Sequence, residues 1–557
     1  MAVRKHIVPL FILILLGLFA MKTFWGPHFY DGHDAQAHIV RLYQYDQALK
    51  DGQFPPRWAG GLLAGRGYPV FIFAYPLPYM VAEGFHLLGL NLAVSLKITF
   101  ILAYLFSSLA MYAFAAAYWQ SRRAGFLSAL LWSWAPYIFV KIFITASLGV
   151  VVSYAFIPLT FLFLYQVLTK PNLKHSLFLS LSASGWLLSH LLTPIVFSPL
   201  IIIFILVHWE KSPDREKAIK FLLISLLFTL GLTIWFLLPA LFELKYTRFH
   251  EFVNFQYSQH FVAFKRLLYS KWGTGAPGWS DNPLSQQVGI TQWLAVAFAA
   301  VLAIIKPRNK VNHNLFPIIL TFPLSIFLML KISQPIWDLK TPLQSVGIPW
   351  RFLSLAVFIA ALCAGYIIKI FSKNKLFLTV IFLLLTSLTL YANRNHLRIN
   401  QVKVYTQEFF DNYTGVATGW NEHLPIWVKD YDLTPPKEKV EIISGDCTVF
   451  NLNLKSNLQS FSTDCSESST LQLNTAYYPG WKITANHADI TDQVKTNLSS
   501  SNGMIQFSLD SGQSLITAQF QNTPLRQTSR IISCLTLGLL VVLFYLEKKV
   551  QANHRSN

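Results

Sequence analysis

Residues 529–546 read SRIISCLTLGLLVVLFYL and run directly into Glu547-Lys548-Lys549, with Arg555 near the end of a basic tail. An apolar run close to the about 20 residues that cross a hydrocarbon core predicts a transmembrane helix. Basic residues collect on the cytoplasmic side of a membrane, so this helix runs inward and residues 393–528 before it lie outside. Working back, the basic links are Lys373/Lys375, Lys306/Arg308/Lys310, Lys211/Arg215/Lys217, Lys170/Lys174 and Arg122/Arg123. All fall on the cytoplasmic side if the apolar runs between them alternate. The pattern predicts spans near 7–23, 97–118, 124–140, 146–168, 174–189, 190–208, 219–241, 290–305, 314–332, 350–370, 375–392 and 529–546. That is an all-α polytopic membrane domain of about 12 spanning helices with both termini cytoplasmic. Residues 68–90 do not fit the alternation; Pro69, Pro76, Pro78 and Gly84 interrupt a helix there and predict a re-entrant or interfacial segment. If the segment does span, one of the two short runs in 174–208 does not.

Composition points the same way. Of 557 residues, 53% are hydrophobic and 13% charged, against roughly 25% charged in soluble domains. The formal charge of +19 reports topology and contact with anionic lipid headgroups rather than nucleic acid. No soluble face studded with basic and aromatic residues exists to bind nucleic acid. The N-terminal apolar run lacks a small-x-small cleavage site before Lys22-Thr23-Phe24-Trp25, which predicts an uncleaved first helix in a multi-pass protein of the plasma (inner) membrane.

The chain therefore divides into a membrane domain at 1–392, an extracytoplasmic β-rich domain at 393–528, and a last helix with its basic tail at 529–557. Its external loops are 24–67 and 242–289. Chemistry is sought in loops held by a rigid scaffold. The first loop carries Asp31-Gly32-His33-Asp34 and then a helix-like run to Lys50 on which Asp34, His38, Arg41 and Tyr45 share one face. Ile39, Leu42 and Leu49 point elsewhere, predicting an amphipathic helix lying on the membrane surface. Two readings of the aspartates stand side by side. Asp31 or Asp34 acts as a general base, or holds a divalent cation beside a phosphate leaving group, with His33 and His38 in support. Alternatively, Asp34 caps the helix and the rest is a solvated polar stripe.

Elsewhere, His190 lies between two apolar runs near an external turn, either as a structural histidine or as part of a cavity. Glu243 reads as a solvated loop acid, and Lys141 as a headgroup or phosphate contact at an outer helix end. Trp272, Trp279 and Asp281 in the second loop suit sugar stacking or interfacial anchoring. In 393–528, alternating stretches at 439–443, 471–474, 481–484 and 515–520 predict strands of a small β-sandwich with a scaffolding or carbohydrate-binding role. Cys447 and Cys465 are placed for a disulfide in an oxidising compartment. No Cys/His cluster suggests zinc.

The run from His33 to Gly89, beginning HDAQAHIVRLYQYDQALKDGQFPPRW, resembles the opening of a bacterial membrane-protein family known as 6-pyruvoyl-tetrahydropterin-synthase-related. That family is akin to YfhO-like proteins and, more distantly, to the GT-C superfamily of lipid-sugar-dependent glycosyltransferases. Softer matches continue through Ser189-His190-Leu191, Trp235 to Ala240, Trp272-Gly273, Gln286 to Gly289 and Pro349-Trp350-Arg351, ending on the distinctive Tyr477-Tyr478-Pro479-Gly480-Trp481. The resemblance implies a GT-C-like core whose catalytic acid, Asp31 or Asp34, sits in the first external loop, although Asp-Gly-His-Asp departs from the usual short acidic motif. It implies a sugar taken from a polyprenyl phosphate at the outer face. Arg351 is then the first choice to bind the phosphate, and Arg57 and Arg66 the second. A non-enzymatic transporter or exporter, or an inactive scaffold, remains the alternative. Ionisable residues concentrated in external loops rather than mid-span favour the enzyme, and no P-loop supports ATP-driven transport.

Overall fold

A computed structural model describes residues 4–252, 257–278, 280–305, 310–339, 342–430 and 432–556. Trp279 and the basic link at Lys306 and Arg308 lie outside the described residues. Helices overlie each of the apolar runs, beginning with Arg4–Ala20 and ending with Pro524–Ser556. Six are long and apolar enough to cross a membrane, or eight if each of two bent pairs is one span. They make the chain an integral membrane protein. Ser121, Asn172, Asp214 and Asn374, each beside a basic link, cap the helix that follows by accepting from a backbone amide in its first turn.

The centre of the bundle is helix Leu353–Ile370, buried all round from Leu353 to Ile368. A helix apolar on every side belongs inside rather than at a lipid face. Gly365 lets it approach Trp119, since a Cβ there would fall 2.5 Å from the indole. Residues 68–90 form two short helices, Val70–Phe73 and Pro76–Leu87. The longer of them rises about 18 Å, short of the about 30 Å a crossing needs. Tyr79, Ala82 and Glu83 on it are buried by protein.

Helix Ala35–Lys50 corrects the expectation of a surface helix. Ile39 and Leu42 are buried, as are His38 and Tyr45 on its polar side. Both faces are enclosed because the 68–90 segment covers one and the chain after residue 393 covers the other, contacts that sequence periodicity does not contain. The first loop is pinned at both ends by backbone: Phe29–Tyr30 pairs antiparallel with Val402–Lys403, and the amides of Leu63 and Ala64 donate to Gly415 and Thr414.

Beyond residue 439 the chain forms two antiparallel sheets. One orders strands Cys447–Leu454, Leu458–Cys465, Gly512–Phe520, Trp481–Ala485 and Ala488–Asp489; the other orders Val440–Ser444, Ser469–Ala476 and Met504–Leu509. Alternate residues Phe461, Ile483, Ile516, Leu471, Leu473, Ile505 and Phe507 are buried, the period-two pattern of a half-covered sheet. Cys447 and Cys465 face each other on neighbouring strands and form a disulfide.

Glu243 is not a solvated acid. It is 3% exposed and takes a forked pair from Arg526, with Nε at 2.9 Å and Nη2 at 2.7 Å, while Arg526 also donates to the Pro479 carbonyl. Tyr478 donates its hydroxyl to the Glu243 carbonyl. The last helix begins at Pro524, ahead of its apolar run, and so carries Arg526 onto the end of helix Arg215–Phe242. This ion pair bolts the membrane bundle to the strand end at Tyr477–Trp481. Removing one partner of a buried pair strands the other charge, at about 3–5 kcal/mol, whereas replacing both by apolar groups is often neutral. We expect R526A and E243A each to lower the unfolding midpoint of the detergent-solubilised protein sharply, and the double R526M/E243M variant to recover most of it. Near-ultraviolet circular dichroism on heating reads the result; equal midpoints for all four proteins would refute the bolt.

Candidate functional site

The site grows from a break in the bundle. After helix Arg122–Ser133 the chain passes Pro136, makes a π-helical turn at Val140–Ile144, and reaches helix Leu148–Thr169 through Ala146, whose φ is +52°. Such a break frees carbonyls from the i→i−4 ladder. The first loop supplies their donors: the amide of His33 donates to Ile144 O and that of Asp34 to Thr145 O, both at 3.0 Å. Gly32 makes the approach fit, since a Cβ there would lie 3.0 Å from the Ile144 carbonyl. Asp34 makes no side-chain cap; Ser147 Oγ donates instead to its Oδ2 at 3.3 Å.

Lys141, in the π-helical turn, is 4% exposed and holds its ammonium 4.4 Å from the Trp350 ring centre and 5.4 Å from that of Tyr137. Trp350 introduces Arg351, whose Nη1 donates to the Val346 carbonyl. The Asp34 carboxylate forms no ion pair with either cation among the described residues. Those cations bear on His190, which is buried with its ring 6.0 Å from Tyr75 and whose Nδ1 accepts from the Thr193 amide. Arg351 and His33 line a cavity of about 360 Å³ whose wall also holds His260, Trp350, Trp420 and Glu422; Asp34, Lys141 and His190 are not in that wall. Trp420 and Glu422 come from the segment leading into the β-rich region. Nothing in the residue pattern marked Glu422; the one available signal was an acid between a tryptophan and a histidine in Trp420-Asn421-Glu422-His423.

The two aspartates diverge. Asp31 accepts from Gln401 Nε2 at 3.2 Å and lines a separate small cleft of about 180 Å³ with Thr274 and Asn400. His33 spans both clefts, its Nε2 2.7 Å from the Thr274 carbonyl. Arg57 and Arg66 join neither. Arg57 sits against the Trp235 ring and donates to its carbonyl, close to Arg526, and Arg66 donates to the carbonyls of Asp432 and Thr434. The loop after residue 50 runs toward the β-rich region, which carries both arginines away. Among the described residues no three His, Cys, Asp or Glu side chains converge as metal ligands.

His38 holds the helix under Asp34 in place. It is 2% exposed, its Nδ1 lies 2.7 Å from Tyr79 Oη, and the Leu148 amide points at its Nε2 from 3.4 Å. Burial, and then the charge of Arg41, hold its pKa well below the ordinary histidine value.

Comparison with known proteins adds a partial likeness. No protein-family model matches the chain. An uncharacterized protein of Lactococcus lactis subsp. cremoris is 25% identical over 247 residues, 43% of this chain and 40% of that protein. Among solved structures, the arabinofuranosyltransferase AftD from Mycobacteria superposes at a TM-score of 0.47 with 12% identity, covering 72% of this chain and 28% of AftD. A mutant form of the same enzyme gives 0.46 and 12%, over 70% and 28%. The chain thus spans well under half the length of the proteins it matches.

A histidine held neutral by burial takes up a proton on unfolding once the pH drops below its unfolded value near 6.5. Its stabilising share is present above that pH and lost on acidification. We expect the unfolding midpoint of the wild type to fall between about pH 6.5 and 5, and H38Q, which keeps a donor and an acceptor but cannot titrate, to show a shallower fall. His423, lowered to about 4 chiefly by burial, supplies a slope that persists in both proteins. Parallel curves for the two would show that His38 is not the neutral buried group described.

Proposed function

We propose that the chain is a membrane glycosyltransferase of GT-C type that moves a sugar from a polyprenyl-phosphate donor to an envelope glycan or lipid acceptor at the outer membrane face. In this reading the bundle crosses the membrane twelve times with both termini cytoplasmic, and the cavity opens at the outer headgroup plane. The observation that carries it is a cavity whose wall holds Arg351 and His33, with Asp34 next to His33 in the chain and its carboxylate accepting from Ser147. The donor's phosphate lies against the Arg351 guanidinium, whose planar fork matches phosphate oxygens, with the Lys141 ammonium behind it. Asp34 accepts the proton of the acceptor hydroxyl as its oxygen forms a bond to the anomeric carbon. The bond from that carbon to the phosphate oxygen breaks on the opposite face, and polyprenyl phosphate leaves with the electron pair, so the configuration inverts. A phosphate is a good leaving group and needs no acid. One carboxylate therefore suffices, in contrast to the paired acids of glycoside hydrolases. His33 contributes polar wall, and Ser147 donates to the Asp34 carboxylate.

Removing a general base typically slows turnover about 10²–10⁴-fold. We expect D34N and R351A, expressed at wild-type levels, to strip the corresponding sugar from the envelope glycans of a strain that depends on this gene, and D31N to leave it in place. Compositional analysis of the purified envelope reads all three. An unchanged glycan profile in D34N and R351A would end the transferase reading.

A further inference from the structure

A second cavity lies at the opposite end of helix Leu92–Trp119 from the site above. This helix starts beside the external loop, where Lys97 donates to the carbonyls of Gly26 and His28, and ends at Trp119. Near its middle it meets the first helix closely: a Cβ on Gly17 would fall 2.5 Å from Leu105 Cδ2. Past that contact the two helices part, and the wedge between them encloses about 790 Å³, within the roughly 300–1,000 Å³ of ligand-binding clefts. Its inner walls are Leu10 and Leu109, its floor is Ala113, Ala116 and Ala117, and its mouth is Gln120, Ser121 and Arg122. His6 Nδ1 and Tyr112 Oη lie 2.7 Å apart between the two zones.

The lining is sorted along the groove. Small apolar side chains line an open groove, and it ends at Arg122 with Arg123 next to it in the chain. A soluble metabolite would meet an apolar wall open to the bilayer, whereas a membrane lipid matches both zones at once. A cationic mouth selects among lipids by the headgroup. We propose that this groove binds one anionic phospholipid, with an acyl chain over Ala113 and Ala117 and its phosphate against Arg122. The inference is independent of the glycosyltransferase reading, because it concerns other residues at the far end of the bundle.

The full chain in detergent is titrated with palmitoyl-oleoyl-phosphatidylglycerol or with the phosphatidylcholine of the same acyl chains, and retained lipid is counted by native mass spectrometry. We expect saturable retention of one phosphatidylglycerol and weaker retention of phosphatidylcholine. A basic residue near a membrane surface contributes about 1 kcal/mol toward anionic lipid, about a fivefold difference in affinity. R122Q should erase that headgroup preference while keeping the chain contact, and A113F/A117F should abolish retention of both lipids. Monodispersity and an unchanged unfolding midpoint in each variant separate a filled groove from a misfolded protein. Equal retention of the two lipids by the wild type would overturn the proposal. So would a preference that survives in both well-folded variants.

Discussion

Two backbone hydrogen bonds from the loop after the first helix to the broken segment at Ile144 and Thr145 set the rest of the site. A helix break inside an apolar bundle exposes carbonyls that lipid cannot satisfy, each at a penalty of several kcal/mol. The amides of His33 and Asp34 answer Ile144 and Thr145, so the loop is held by the break and the break is tolerated because of the loop. The same π-helical turn carries Lys141, and the same loop carries the Asp34 carboxylate. One structural requirement of the backbone therefore fixes the anion and one of the cations relative to each other. Gly32 is part of this requirement, since any side chain there would press on the Ile144 carbonyl.

Two groups of buried charge in this protein solve the desolvation problem differently, and the difference separates scaffold from site. Glu243 and Arg526 match one for one, with a forked hydrogen-bonded pair and the remaining donors taken by the carbonyls of Pro479 and Gln521. Buried Arg57 lies close to this pair and rests against the Trp235 ring and carbonyl. Asp34, Lys141 and Arg351 are two cations against one carboxylate, and Lys141 leans on aromatic rings for part of its compensation. Glu422 stands in the same cavity wall as Arg351, so charges of both signs border the cavity.

Much of this was legible in the sequence, for identifiable reasons. Apolar runs and caps at basic links depend on local chemistry, so the helices fall where periodicity and the residues Ser121, Asn172, Asp214 and Asn374 put them. The strands beyond residue 439 follow the alternation of their apolar positions for the same reason. What periodicity could not show is what covers a helix from a distance. Ala35–Lys50 has the pattern of a surface helix, yet segments up to about residue 423 in the chain close over it. Arg57 and Arg66 share the loop of Asp34 in sequence but are carried off by the path of the chain. Glu422 enters the cavity from a segment whose own residues carry no motif, and Ser147 supports Asp34 only because the break brings it there.

That last contribution bears on why the β-rich region is bracketed between two membrane helices. The segment bearing Trp420 and Glu422 forms a wall of the cavity, facing His33 and Arg351 from the bundle. A wall carried on a separate domain is useful only if that domain cannot drift. Here it is held on one side by the strand pairing of Phe29–Tyr30 with Val402–Lys403, and on the other by the Glu243–Arg526 bolt under the Tyr478 hydroxyl. In the proposed reaction the helix ends hold the lipid-linked donor, and the segment bearing Trp420 and Glu422 is left to meet the acceptor. Acceptor choice can then diverge through residues near Trp420 without disturbing the backbone hydrogen bonds that position Asp34.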